Sequence, residues 1–321
     1  LNLMEKMYSF IILISIIIGI SLRQLEVVRL NAESFILPLL IAMLYITFLQ
    51  LPFENIKSAL KNVKFTYATI LMNFVWTPVL AWLLALLFLS DNPALWIGFI
   101  MLMVTPCTDW YLIFTGIAKG NVALSTTILP INLILQILLL PVYLLIFSST
   151  TVNLDFSIFI ESIFLVLLIP LLLAFITKRI LNNMEQIKEK IGPTMSILPT
   201  VFLSLAIVAM FAAKGQLLLD HLDLIWKIII PILSFFIINF IIGQKVGSAL
   251  KFSYYDKTSF SMTTLARNSP IALAIAMTAF LDQPLIALIL VVGPLLELPI
   301  LAGITQVLLL NSSHTKKVHL Q

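Results

Sequence analysis

VTPCTDWYLIF, residues Val104–Phe114, sets a proline, the only cysteine of the chain and an aspartate close together in otherwise apolar sequence. A proline inside a helix removes a backbone donor and disturbs the preceding turn. The stretch therefore reads as a break within a hydrophobic helix, with Cys107, Thr108 and Asp109 placed just beyond Pro106. A second stretch, ARNSPIALAIA (Ala266–Ala276), repeats the plan, with Arg267, Asn268 and Ser269 just before Pro270.

The sequence around these breaks is that of a membrane protein. Of the 321 residues, 61% are hydrophobic and 11% charged, against about 25% charged in ordinary soluble domains. Runs of roughly 20 apolar residues, the length that crosses a bilayer as a helix, recur throughout. We read ten spans, at about 7–22, 34–52, 65–89, 94–118, 122–148, 157–177, 196–213, 224–243, 259–281 and 285–310. The first is read as a retained helix, because no small-residue cleavage site follows it.

Ten spans put both termini on one side. Fourteen lysines and arginines then fall on that side, among them Lys6, Lys57, Lys61, Lys64, Lys119, Lys178 and Arg179. Four fall on the other: Arg23, Arg29, Lys214 and Lys227. Such a bias predicts cytoplasmic termini in the cytoplasmic membrane. No basic run is long enough to suggest nucleic acid.

The two halves share a spacing. Pro106, Ala123, Leu124 and Pro130 reappear as Pro270, Ala287, Leu288 and Pro294, all offset by 164 residues, and Asn73-Phe74 reappears as Asn239-Phe240. Five helices per half is an odd number, so the halves, 1–148 and 149–321, enter the membrane from opposite sides. Transporters built from such inverted repeats bind substrate near the midplane, at interrupted helices.

Ionisable side chains within spans are costly and mark function by default. Asp109 follows the first break, Arg267 precedes the second, and Glu297 lies midway along the tenth span. They form either an ion-pair cluster that locks the fold or a substrate and proton site. Cys107 is either a small buried hydrophobe or, beside freed helix donors, a thiolate that selects thiophilic ligands. Asn73, Asn132 and Tyr111 line a cavity on this reading, along with Asn239; interhelical hydrogen bonds are the alternative for the asparagines.

A lone cysteine leaves no disulfide or zinc cluster. His221, His314 and His319 stand in a loop and the tail, so no metal and no cofactor is expected. Neither a catalytic cluster nor a nucleotide-binding glycine loop is present, which argues against an enzyme or an ATP-driven pump. The longest expected loop, Lys178–Thr194, is short for a receptor, and no obligate protein partner is expected.

TPCTDWYLIFTGIAKGN (Thr105–Asn121) resembles the fourth-helix signature of arsenite-efflux permeases, and GPLLELPIL (Gly293–Leu301) resembles their last helix. ARNSPIALAIA is similar to the ninth-helix region of the wider bile acid:sodium symporter superfamily. The resemblance implies an all-α membrane fold of ten helices in two inverted five-helix repeats. In it, broken fourth and ninth helices cross in a core domain (about 65–148 and 224–310) beside a panel domain (about 7–52 and 157–213). It implies a secondary transporter working by alternating access, with Cys107 matching the permease cysteine. The ninth-helix glutamate of the family is absent here. The serine-asparagine pair of sodium-coupled members is replaced by Tyr111 and Leu112.

The expectation is a sodium-independent carrier of arsenite, coupled to protons through Asp109 or Glu297, with Arg267 supplying a fixed charge where relatives bind a cation. The alternative is a carrier of a small organic anion held by Arg267 and the half-helix N-termini. In either case the partners are the lipid bilayer and a small-molecule substrate held by Cys107, Thr108, Asp109, Arg267, Asn268 and Ser269.

Overall fold

Lipid offers no hydrogen bonds to the backbone, so apolar runs of this length must fold as helices. The computed structural model describes residues 8–52, 61–108, 110–148, 156–181, 185–220, 222–280 and 282–318. Asp109 lies outside the described residues, as do Lys6, Lys57, His221 and His319.

The described chain is all-α apart from one isolated bridge. In order run α1 (Tyr8–Leu22), a short α2 (Glu26–Asn31), α3 (Glu33–Gln50), α4 (Val63–Phe88), α5 (Pro93–Val104), α6 (Trp110–Ile117) and α7 (Val122–Ser148). Then come α8, from Phe156–Ile163 through a π-turn at Phe164–Leu168 to Ile169–Leu181, and α9 (Glu185–Asp220). Last are α10 (Leu222–Ala249), α11 (Tyr254–Leu265), α12 (Ser269–Ala279) and α13 (Pro284–Val318).

Among the described residues, seven helical stretches are long and apolar enough to cross a membrane, and Phe10–Leu22, Pro93–Val104 and Ser269–Ala279 are shorter apolar helices. The distribution of side chains agrees with a lipid surround. Large apolar residues such as Leu87, Leu138 and Phe175 face outward, whereas Asn73, Asn132, Gln136, Asn239, Arg267 and Glu297 are buried. That inside-out pattern suits lipid and would drive aggregation in water. The protein is an integral membrane protein.

Helix lengths depart from the apolar spans at two places. The segment expected as a loop at 178–194 is helical from Glu185, and α13 runs on to Val318. Apolar length sets what lipid can cover, whereas Glu, Gln and Lys are good helix formers and extend α9 back to Glu185.

The chain divides into two compact units: Leu1–Leu51, Ser148–Trp226 and Ser269–Leu295 form one, and Pro52–Phe147, Lys227–Asn268 and Leu296–Gln321 the other. In the first, α9 packs along α1 and α3. A Cβ on Gly19 would stand 2.7 Å from both the Phe211 Cβ and the Val208 carbonyl oxygen, so glycine is what lets α1 and α9 close up. Polar pairs fasten the helix ends: Lys214 to Glu33 at 2.9 Å, and Tyr45 Oη–H to Thr177 Oγ1 at 2.9 Å.

In the second unit, Asn62 and Asn92 accept main-chain N–H bonds from Phe65 and Leu95 and so start α4 and α5. Within α4 a π-turn at Met72–Trp76 lets the Thr77 N–H reach back to the Met72 carbonyl. α6 ends in a left-handed turn at Lys119, with φ of 58°, and the Gly120 N–H donates to Thr115 O at 2.7 Å. The adjoining Asn121 side chain donates to Asp256 Oδ1 at 2.9 Å, tying that turn to the start of α11.

Candidate functional site

The site grows from two helix ends in the second unit. α5 stops at Val104 because Thr105 precedes a proline, which disfavours the helical region; Thr105 is extended, with φ −102° and ψ 99°. α11 stops at Leu265, and Ala266 is likewise extended, at φ −71° and ψ 140°. Pro106 lies inside the first interruption, and Pro270 is the second residue of α12, where its missing N–H costs no helical bond.

The extended peptides pair with each other. Pro106 and Arg267 form an antiparallel bridge. The Cys107 N–H donates to Ala266 O at 2.9 Å, and the Asn268 N–H to Thr105 O at 2.7 Å. Backbone groups released by the two breaks are thus satisfied mutually, as a buried environment requires. Side chains reinforce the joint: Thr105 Oγ1 donates to Asn268 O at 3.3 Å, and Asn268 Nδ2 donates to Thr108 Oγ1 at 3.0 Å. Cys107, Thr108, Arg267 and Asn268 are all buried here.

Arg267 turns its guanidinium onto main-chain carbonyls. Nε donates to Leu265 O at 3.0 Å, Nη1 to Met103 O at 2.9 Å, and Nη2 to Thr264 O and, at 3.4 Å, to Asn73 Oδ1. The Phe235 ring lies 5.2 Å from the guanidinium carbon, within cation–π range. The three carbonyls belong to the last turns of α5 and α11, the negative ends of their dipoles. A cation placed there meets the charge it was built for.

The only buried carboxylate among the described residues, Glu297, takes a different part of Arg267. Its Oε1 accepts the Arg267 main-chain N–H at 2.8 Å, and the guanidinium forms no ion pair among the described residues. The expected partnership of Arg267 with Asp109 falls outside the described residues.

A belt of amides adjoins the arginine. Asn73 Nδ2 donates to Asn132 Oδ1 at 3.5 Å and to Thr263 O at 3.4 Å. Asn239 Nδ2 donates to Thr264 O at 2.6 Å and its Oδ1 accepts from Trp76 Nε1 at 3.1 Å. Tyr111 is fully buried and its hydroxyl donates to Ser125 O at 2.8 Å. Ser269 and Pro270 open α12, which belongs to the other unit.

The Sodium Bile acid symporter family profile matches residues 37–221, more than half of the chain. The chain belongs to the sodium bile acid symporter family. The arsenical-resistance protein Acr3 of Corynebacterium glutamicum is 24% identical over 283 residues, covering 84% of this chain and 76% of its own length. The Acr3 of Alkaliphilus metalliredigens is 22% identical, covering 83% and 78%. An uncharacterized transporter from Synechocystis sp. is 23% identical, covering 96% and 88%.

Within this symporter-family chain, sequence reasoning had singled out Arg267, Cys107, Thr108 and Asn268, which one joint brings together. Met103, Thr264 and Leu265 act through their carbonyls, which leave no trace in side-chain identity, and Phe235 is one of 22 phenylalanines.

Proposed function

We propose that this chain is a secondary active transporter that exports arsenite by alternating access, without sodium. Its likeness to the two arsenical-resistance proteins and the match of Cys107 to the permease cysteine support the substrate class. On this reading, Cys107 is the thiophilic contact, Thr108 and Asn268 hold hydroxyl groups of the substrate, and Glu297 carries the coupling proton. The fold we propose for this activity is ten spans in two inverted repeats, in the cytoplasmic membrane, with both termini cytoplasmic. The excess of basic residues on one side supports that orientation.

The observation that carries sodium independence is the seat of Arg267. Helix C-terminal carbonyls and unwound backbone are what a coupling cation uses in broken-helix transporters. Here a tethered guanidinium serves the carbonyls of Met103, Thr264 and Leu265, and an arginine keeps its charge at physiological pH. The same geometry weakens the reading of an organic-anion carrier, since a carboxylate would have to draw the guanidinium off those carbonyls.

Arsenite flux into inside-out proteoliposomes tests the proposal. A flux that follows an imposed proton gradient and ignores a sodium gradient is expected. Sodium-driven flux overturns sodium independence, and transport of small carboxylates with no arsenite flux overturns the substrate.

A further inference from the structure

Asn73 meets Asn132 near one level of α4 and α7, and Trp82 stacks on Phe147 further along at 6.2 Å between centroids. The two helices therefore run in the same direction. One turn beyond Asn73 is Thr77, and one turn beyond Asn132 is Gln136; residues four apart share a helix face. The same stripes run back to Thr69 on α4 and Ser125 on α7.

These side chains are buried, at 0% exposure for Thr77 and Asn132 and 1% for Gln136. Yet among the described residues Thr77 Oγ1, Asn132 Nδ2 and both polar atoms of Gln136 have no hydrogen-bond partner, and neither do Thr69 Oγ1 and Ser125 Oγ. Orphaned polar atoms at this burial are rare in folded proteins and call for a ligand or ordered water. The stripe on α4 from Thr69 to Thr77 is about 12 Å long at the helical rise.

The groups are neutral and of mixed sense. Asn132 Nδ2 and Gln136 Nε2 donate, Gln136 Oε1 accepts, and the threonine hydroxyl does either. Two of the orphaned atoms, Asn132 Nδ2 and Gln136 Nε2, are N–H donors that do not suit a cation, and no charged group among them balances an anion. Hydroxyl groups, which also donate and accept, are its complement.

We propose that the seam between α4 and α7, centred on Thr77, Asn132 and Gln136, is a buried binding site for neutral hydroxyl-bearing molecules, either water or a small hydroxylated solute. It adjoins Arg267 through Asn73 and stands on the seam alone, whatever the carrier exports.

Thermal unfolding of the detergent-solubilised protein decides it. If the seam is occupied, Gln136→Leu removes satisfied groups, and Tm stays level or falls. If it is dry, the same change removes buried polar atoms that lacked partners, and Tm rises by about 2 °C or more. Boric acid, a neutral trihydroxy probe, separates the sources. A rise in wild-type Tm with boric acid that Asn132→Leu abolishes assigns a solute. No response to boric acid, with Gln136→Leu level or lower, assigns water. If Gln136→Leu does not fold, Thr77→Val carries the same sign test. A rise in Tm in the substituted protein overturns the proposal.

Discussion

Pro106 and Arg267 face each other across an antiparallel bridge whose flanking bonds join Cys107 to Ala266 at 2.9 Å and Asn268 to Thr105 at 2.7 Å. Because main-chain atoms make this joint, the thiol and the guanidinium are held near one another by groups that any substitution other than proline retains. Chemistry at the joint can thus be altered without dismantling it.

Cys107→Ser is expected to leave the fold standing. The main-chain bond remains, and the buried hydroxyl that replaces the thiol costs about 1–3 kcal/mol where it finds no acceptor. Loss of the thiol should abolish arsenite resistance in cells that lack their own efflux system. Growth on arsenite together with Tm checks both, and resistance that survives the substitution removes Cys107 as the contact.

Arg267→Ala strips the guanidinium from three buried carbonyls. Leaving a buried acceptor without its donor costs about 1–3 kcal/mol per group. If the guanidinium stands in for a coupling cation, sodium should recover part of that loss. Unfolding in sodium chloride is then expected at a higher temperature than in choline chloride. Equal temperatures in the two salts count against the tethered-cation reading.

Glu297→Gln retains an oxygen that can accept the Arg267 N–H, so the joint should persist with little change in stability. The amide cannot carry a proton. Arsenite flux through the variant is expected to stop responding to an imposed pH gradient. A response of wild-type size means that the proton travels elsewhere.

Gly19→Leu tests packing in the other unit. Even a Cβ at this position lies 2.7 Å from Phe211 and Val208, and a larger side chain must push α1 and α9 apart. Overpacking of this kind costs about 1–3 kcal/mol or more. Lower Tm is expected, with the Cys107 joint unaffected; an unchanged Tm means the helices move apart freely.

Hydropathy alone made this an all-helical membrane protein, because apolar length and backbone satisfaction in lipid admit no other element. The breaks at Pro106 and near Pro270 were legible for a similar reason: proline and the residue before it act through local sterics. The importance of Arg267 was legible too, since a charge inside a span is too costly to be incidental. What the charge touches was not. Its partners are carbonyls of Met103, Thr264 and Leu265, and every residue owns a carbonyl, so only the approach of two helix ends distant in sequence selects them. Gln136 and Thr77 became noteworthy the same way, because a polar side chain is orphaned only by the neighbours that tertiary packing gives it.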